Sequence, residues 1–184
     1  MVRYRKLVLS FAPPETWRTR NNLYNRRWKI LRLKIVQRDG FVCQYCGYKS
    51  NKFQIAHHID GNPNNNKENN LITICQMCNL IEHSGQGCEL KGIVDLYKQS
   101  KYPQVEIIRV TREMRNRDKS DSEIIRFLGL KEKAAFKMDR KYLGNLFGFV
   151  TSRSSKQEDD MYDKWLRYHK ANLILEKPNQ KTFL

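Results

Sequence analysis

Two short stretches of the sequence, Cys43-Gln44-Tyr45-Cys46 and Cys75-Gln76-Met77-Cys78, decide the fold, because each carries two cysteines separated by two residues. Together they supply four thiolates, and a tetrahedral set of four thiolates suits Zn²⁺. Four protein ligands leave no position open for water, so we predict a structural zinc rather than a catalytic one. The 28 residues between the two pairs exceed the usual spacing, which indicates that further structure is housed there. The fifth cysteine, Cys88, is expected to be a small buried apolar residue.

The cysteines point to a reducing compartment. The chain has a basic start, Met1–Lys6, but no long apolar run and no small-residue cleavage site of a signal peptide follows it. Metal ligation is therefore favoured over disulfide bonds. No stretch approaches the ~18 consecutive apolar residues of a membrane span, so we expect a cytoplasmic protein with no membrane partner.

The charge of the 184 residues is +16, and its distribution predicts a nucleic-acid partner. Residues 1–42 carry 11 basic and 2 acidic side chains, and residues 101–142 carry 12 and 7. Residues 43–100 between them have no net charge. A neutral centre flanked by basic segments is typical of phosphate-binding arms around a site that contains its own metal charge. The simpler alternative is a basic surface that serves solubility.

Hydrophobic spacing predicts a sequence of short elements in the first half of the chain. Residues 1–13 are expected to be extended, and residues 21–37 to form a basic helix with apolar positions at helical spacing. Short strands are predicted at 41–42 and 53–59, an asparagine-rich loop at 61–70, and an apolar segment at 71–74. A helix should open at 79–83, and a second one should cover 89–99, with Leu90, Ile93, Val94 and Tyr97 inward.

The second half of the sequence is predicted to be mainly helical. A short strand is expected at 105–110, and Ser120 with Glu123 offers a capping box for a helix that ends at Gly129. A basic helix at 131–146 would follow, so the two helices and their short turn have the outline of a helix-turn-helix. A last helix is predicted at 157–175.

The region between and just after the cysteine pairs carries the chemically active side chains. His57-His58-Ile59-Asp60-Gly61-Asn62 lies between the pairs, Asn69-Asn70-Leu71 precedes the second pair, and Asn79 and His83 follow it. An arginine-rich segment leads into Arg38–Gly47. This combination, over roughly residues 40–84, resembles the HNH nucleases of the ββα-metal fold. The resemblance implies an α+β protein with three parts: a basic arm and helix at 1–40, a zinc-bound ββα-metal core at 41–100, and a mainly helical region for DNA binding or dimerisation at 101–184.

The resemblance also implies a role for each active side chain. The first histidine position, His57, would ligate a catalytic cation, and the second, His58, would be the general base. Adjacent strand residues point to opposite faces, so the two can serve different tasks. Asn79 matches the family's helix ligand, and His83, one turn further on, would complete the set. Asn70 would tie the loop to the backbone and orient His58.

We therefore predict a metal-dependent endonuclease that hydrolyses DNA phosphodiesters. Imidazole and amide ligands suit Mg²⁺, Mn²⁺ or Ni²⁺, of which Mg²⁺ is expected in cells. The substrate is expected to be double-stranded DNA, a homodimer is compatible with the sequence, and restriction and homing enzymes are among the classes implied. The residues expected to contact DNA are Arg26, Arg27, Arg32, Lys34, Lys137, Arg140 and Lys141. The Lys131–Lys141 segment is the candidate for base reading.

Other readings of the same residues stay open. Asn69 or Asn70 could simply cap a turn, and His83 could be an ordinary surface residue of a helix. A non-catalytic zinc module that binds nucleic acid would account for the cysteines and the charge, but not for His57, His58, Asn79 and His83 together. An enzyme that cuts RNA is a further alternative.

Overall fold

The computed structural model describes residues 5–11 and 26–154. Five helices and five strands occur in these residues. The helices are α1 (Arg26–Arg38), α2 (Gln76–Glu82), α3 (Gln104–Arg115), α4 (Asp121–Leu128) and α5 (Arg140–Leu143). The strands are β1 (Gln54–His58), β2 (Leu71–Cys75), β3 (Val94–Gln99), β4 (Lys131–Ala134) and β5 (Phe147–Val150). A 3₁₀ turn at Glu68–Asn70 and a π turn at Gln86–Leu90 complete the described part.

The first structural unit is a hairpin followed directly by a helix. β1 and β2 pair antiparallel, with Gln54 opposite Cys75 and His58 opposite Leu71. Every residue of β2 is buried, as expected of a strand rich in β-branched side chains that is covered on both faces. α2 begins at the residue after β2, so the order is ββα. α1 covers the hairpin through Ile35, which packs with Ala56 and Leu71.

The second unit is a three-stranded antiparallel sheet in the order β4-β3-β5, with β3 at its centre. α3 is locked to this sheet by the buried side chain of Gln104, which donates to the carbonyl of Gly148 at 2.8 Å and accepts from its amide at 2.7 Å. The largest core cluster contains both β2 and β3 residues, so the two units share one hydrophobic core. The sheet joins a strand of the proposed core, 41–100, to two strands of the proposed region 101–184.

Several predicted elements are confirmed. The predicted strand at 53–59 contains β1, and the apolar segment 71–74 lies in β2. Val42 pairs with Lys49 in an isolated bridge. The capping box is present: Ser120 accepts from the amide of Glu123, whose carboxylate accepts from the amide of Ser120. Gly129 ends α4 with a left-handed φ of 63°.

The predicted helix at 89–99 is wrong, because this segment forms the π turn and then β3. Its apolar residues are buried on both faces of the central strand: Val94 and Leu96 belong to the largest core cluster, whereas Tyr97 belongs to a second one. A strand covered on both sides produces a nearly continuous apolar run, which spacing alone does not distinguish from a buried helix.

The predicted strand at 105–110 is also wrong, because α3 occupies it. Pro103 takes the extended conformation of a helix cap, and Ile107, Ile108 and Thr111 form the buried face. These β-branched residues favour strands in isolation, and tertiary packing overrides that preference here.

The predicted basic helix at 131–146 is wrong as well, and the helix-turn-helix with it. Residues 131–134 form β4, which pairs with β3 and leaves its lysines exposed. A short helix, α5, begins only after Asp139, whose carboxylate accepts from the amides of Lys141 and Tyr142. The described part of region 101–184 thus contains the helices α3, α4 and α5 together with the strands β4 and β5.

The remaining predictions for elements concern boundaries. α2 begins at Gln76, three residues before the predicted start, so Cys78 and Asn79 lie on one helix. Residues 5–11 form no regular strand; the amides of Arg5 and Ser10 bind the carbonyls of Gln44 and Ile81. Residues 21–25 of the first predicted helix and the predicted helix at 157–175 lie outside the described residues.

Candidate metal and active site

The four predicted cysteines form one buried cluster. The Sγ atoms of Cys43, Cys46, Cys75 and Cys78 all lie within 4.8 Å of one another. The 3.7 Å between Sγ of Cys46 and Sγ of Cys75 matches the ~3.8 Å edge of a tetrahedron with Zn–S bonds of about 2.3 Å. The prediction of a four-cysteine metal site is confirmed, and its donor set fits a structural zinc. Cys88 lies outside the cluster and is half-buried, and burial raises the pKa of its thiol to about 12.

Arg112 on α3 covers this cluster from outside the motif. Its Nη1 lies 3.6 Å from Sγ of Cys46 and its Nη2 lies 3.2 Å from Sγ of Cys75. The guanidinium also stacks over Tyr48, 3.7 Å from the ring centroid. Burial opposes the charge of Arg112, but the neighbouring thiolates outweigh it and raise its pKa. One turn earlier, Arg109 donates to the carbonyl of Cys46 at 2.9 Å. The guanidinium of Arg112 therefore offsets the negative charge that four thiolates concentrate in this site.

A cavity of about 410 Å³ opens at the other end of the hairpin. His57, His58 and His83 line it. Other residues that contribute to its wall include Ser10, Phe11, Asp60, Glu82 and Arg140. His57 is 8% exposed, and its ring centroid lies 5.1 Å from that of His83.

His83 has a buried ring nitrogen, Nδ1, that finds no hydrogen-bond partner among the described residues. Burial lowers the pKa of His83. Burial also lowers the pKa of His57, to about 3, and the neighbouring His83 and His58 contribute to this decrease. Both imidazoles are therefore neutral near pH 7, which is the form that ligates a cation. An unsatisfied nitrogen beside a second neutral imidazole fits a metal ligand better than an ordinary surface histidine.

Asn79 is placed beside this pair rather than in the cavity wall. Its side chain hydrogen-bonds to His57, and it lines a neighbouring groove. Of the predicted cation ligands, the fold brings His57 and His83 together in the cavity and connects Asn79 to them through His57. Whether its amide oxygen completes the ligand set stays a prediction.

His58 is held by two contacts that the sequence pattern does not predict. Its ring stacks on Trp28 of α1, with centroids 5.2 Å apart and planes 11° apart. Its Nε2 lies 2.9 Å from Oδ1 of Asn66 in the asparagine-rich loop. A carbonyl oxygen can only accept, so this contact makes Nε2–H the donor and leaves the Nδ1 lone pair for a proton.

Asn70 connects the end of the asparagine-rich loop to its beginning. Its Nδ2 donates to Oδ1 of Asp60 at 2.9 Å and to the carbonyl of Asn65 at 2.8 Å. Its Oδ1 accepts from the amide of Asp60 at 3.2 Å. Hydrogen bonds, first from Asn70 and then from Asn62 and Asn65, lower the pKa of Asp60 to about 2. Asn70 contacts the loop, and the loop in turn contacts His58 through Asn66.

The basic residues predicted to contact DNA occupy different environments. Arg26 and Arg27 are exposed at the start of α1, whereas Arg32 donates to the carbonyl of Gln54 and Lys34 pairs with Glu68. Arg140 lines the cavity and stacks over Phe11, 5.3 Å from its centroid. Lys141 is exposed on α5, and Lys137 lies over Tyr142 at 5.2 Å. None of the last three lies on a long recognition helix.

Comparison with known proteins finds a family match in the segment that contains the cysteines and histidines. Residues 43–85 match the family model described as HNH endonuclease. A curated relative, the Type 4 apparatus protein DotN of Legionella pneumophila subsp. pneumophila (strain Philadelphia 1), is 35% identical over 80 residues. The match covers 41% of this chain and 37% of the length of that relative.

Among the described residues, the longest helices are too short and too polar to cross a bilayer.

Proposed function

We propose that this protein is a metal-dependent endonuclease that hydrolyses DNA. The HNH domain at residues 43–85 indicates a nuclease or nucleic-acid-binding role. One observation supports catalysis in particular: the buried and unpartnered Nδ1 of His83 lies beside the neutral ring of His57, in the cavity that His58 also lines. A cavity built for nucleic-acid binding alone would not need a desolvated pair of imidazoles.

In this proposal His57 and His83 hold a divalent cation, with Asn79 as the oxygen ligand. The donor set of two imidazoles and one amide suits Mg²⁺, Mn²⁺ or Ni²⁺, with Mg²⁺ the cation expected in cells. When bound, the cation supplies stabilisation of negative charge on the phosphate and its leaving oxygen. Because Asn79 is hydrogen-bonded to His57, its side chain also holds that ring in place.

His58 is the proposed general base. Its Nδ1 accepts the proton of the attacking water, and the bond from Nε2–H to Asn66 stabilises the tautomer with that lone pair available. Stacking on Trp28 fixes the plane of the ring. The role proposed for Asn70 is indirect, since it fixes the loop that carries Asn66.

Double-stranded DNA is the proposed substrate. α1 carries no acidic residue, and its exposed Arg26 and Arg27 are the side chains proposed to contact phosphates. Arg140 extends the positive charge to the cavity wall.

A second candidate is a non-catalytic zinc module that binds nucleic acid. Two observations favour it: Asn79 lines the neighbouring groove rather than the cavity, and the relative is named as an apparatus protein, without a reaction. In this case the cysteine cluster and the basic surface act without hydrolysis.

Supercoiled plasmid DNA separates the two candidates. The zinc-loaded full chain is freed of other divalent cations and then supplied with Mg²⁺, Mn²⁺ or Ni²⁺ in turn. We expect nicking only after cation addition, and its loss in His83→Ala while zinc content and DNA binding persist. DNA binding without cleavage under every cation would support the binding module.

A further inference from the structure

A second groove of about 410 Å³ lies beside the histidine cavity. Its lining includes Trp28, Arg32, Phe53, Gln76, Asn79 and Lys91. Asn79 connects the two sites, because it lines this groove and hydrogen-bonds to His57 of the cavity. Trp28 does so as well, since its ring stacks on His58. A ligand in the groove would therefore lie next to the proposed reaction centre.

Phe53 is the unusual member of the groove. Its side chain is 81% exposed, and its φ of 60° places it in the left-handed region, which is rare for an aromatic residue. The next residue explains how this conformation is held. Gln54 is buried, and its side-chain amide donates to the carbonyls of Phe41 and Tyr48, both at 3.0 Å. A strained backbone that is fixed in this way and presents an apolar ring to water indicates a binding role.

The charge around Phe53 indicates which ligand the groove takes. Arg32 and Lys91 line it together with the amides of Gln76 and Asn79, and no carboxylate is among its described lining residues. Arg32 is anchored at the groove by its bond to the carbonyl of Gln54. A ligand that matches an exposed aromatic ring, cationic side chains and amide groups has a flat π face, an anionic group and polar edges. A nucleotide combines all three.

We infer that this groove binds one unpaired nucleobase of the DNA, with Phe53 stacked on the base and Arg32 and Lys91 facing its phosphates. The inference rests on the proposed function in taking DNA as the partner. Within double-stranded DNA, it narrows the preferred cleavage position to one beside an unstacked nucleotide. A fully paired duplex buries its bases in the stack and offers Phe53 no free π face.

Fluorescence anisotropy of the zinc-loaded full chain tests this inference, without other divalent cations so that no cleavage occurs. The probes are a fully paired DNA duplex, the same duplex with one unpaired thymidine, and the same duplex with an abasic nucleotide at that position. We expect the unpaired thymidine to increase the affinity about 10-fold, in line with the contribution of one stacked base. Phe53→Ala should remove this preference and Phe53→Trp should keep it. Phe127→Ala, at another exposed phenylalanine, is the matched control and should have no effect.

Each other outcome decides against a specific part of the proposal. Equal affinity for the thymidine and abasic probes, or an unchanged preference in Phe53→Ala, would overturn base stacking in the groove. Tighter binding of the matching RNA probe than of DNA would overturn the choice of DNA. If the unpaired probe binds as expected but no DNA is cut after cation addition, the groove stands and the proposed hydrolysis is wrong. No binding of any probe by the wild type would overturn both.

Discussion

The cysteine cluster and the histidine cavity are built on the same hairpin and helix, at opposite ends of it. Cys75 pairs with Gln54 at one end of the hairpin, and His58 pairs with Leu71 at the other. α2 likewise carries Cys78 in its first turn and is followed by His83 at its end. The cysteine end is closed, with four buried thiolates under Arg112, whereas the histidine end opens into a cavity.

In the proposed function, this difference assigns stability to the cysteine end and hydrolysis to the histidine end. A site with all its ligands supplied by the protein can stabilise the fold but offers a substrate no position. A site with two neutral imidazoles and open space can accept a cation, water and phosphate. Loss of the cysteine end should therefore unfold both ends, whereas changes at the histidine end should leave the zinc and the fold in place.

The largest effect is expected from removing a thiolate. Cys43→Ser should lose zinc and soluble folded protein, because metal binding and folding of residues 41–84 are coupled. Cys88→Ser is the matched control, since Cys88 lies outside the cluster, and it should retain zinc and fold. Metal analysis and circular dichroism measure both. Folded Cys43→Ser without zinc would show that the closed end does not stabilise the molecule.

Removing the guanidinium that covers the cluster should have a smaller effect on the same end. Arg112→Ala should weaken zinc binding about 10- to 100-fold, the range found for outer-shell partners of metal sites. Zinc transfer to a colorimetric chelator measures the release. Arg117→Ala, which removes an exposed arginine of the same region that pairs with Glu113, should not change it. Equal release from both variants would contradict a role for Arg112 at the zinc site.

Replacing the exposed arginines at the start of α1 should affect DNA affinity uniformly. Arg26→Ala with Arg27→Ala should weaken binding to all sequences about equally and reduce the salt slope of log affinity by about 2. Binding titrations over a range of salt concentrations measure both quantities. A changed sequence preference, or an unchanged slope, would show that these side chains do not contact phosphates.

The smallest effect concerns the pH dependence of stability at the histidine end. Burial holds the pKa of His57 at about 3 in the fold, below its unfolded value of about 6.5. The unfolded chain therefore binds more protons between these values, so the free energy of unfolding falls as pH falls through this window. His57 contributes at most about 1.4 kcal/mol per pH unit. His57→Gln should have the shallower dependence in urea unfolding between about pH 7 and pH 5. If the free energy of unfolding has the same pH dependence in the wild type and in His57→Gln, His57 is not buried as described.

The sequence predicted the parts of the fold that local spacing determines. The cysteine pairs, the His57-His58 strand, the asparagine-rich loop and the capping box at Ser120 are all short-range patterns, and each has a local physical cause. The prediction that four cysteines form a metal site needed only their spacing, because two C-x2-C turns close on one ion.

The parts that failed depend on long-range pairing. Spacing alone predicts a helix where β3 lies, because its partners, β4 and β5, are more than 30 residues further along the chain. The helix-turn-helix failed for the same reason. Arg112 follows Cys78 by 34 residues, and its contact with the cluster arises only when α3 packs there. The stack of Trp28 on His58 is likewise a product of how α1 covers the hairpin.

The most direct test of the proposed chemistry compares His58→Ala and His57→Ala on plasmid DNA over a range of Mg²⁺ and Mn²⁺ concentrations. Both variants should retain zinc and DNA binding. His58→Ala should cut about 10²- to 10⁴-fold more slowly at every cation concentration, because no cation replaces a missing base. His57→Ala should regain part of its activity as the cation is raised, since mass action restores occupancy. If raised cation restores the activity of His58→Ala but not that of His57→Ala, the two roles are exchanged. Full activity in both variants would contradict the assignment of this cavity as a nuclease site.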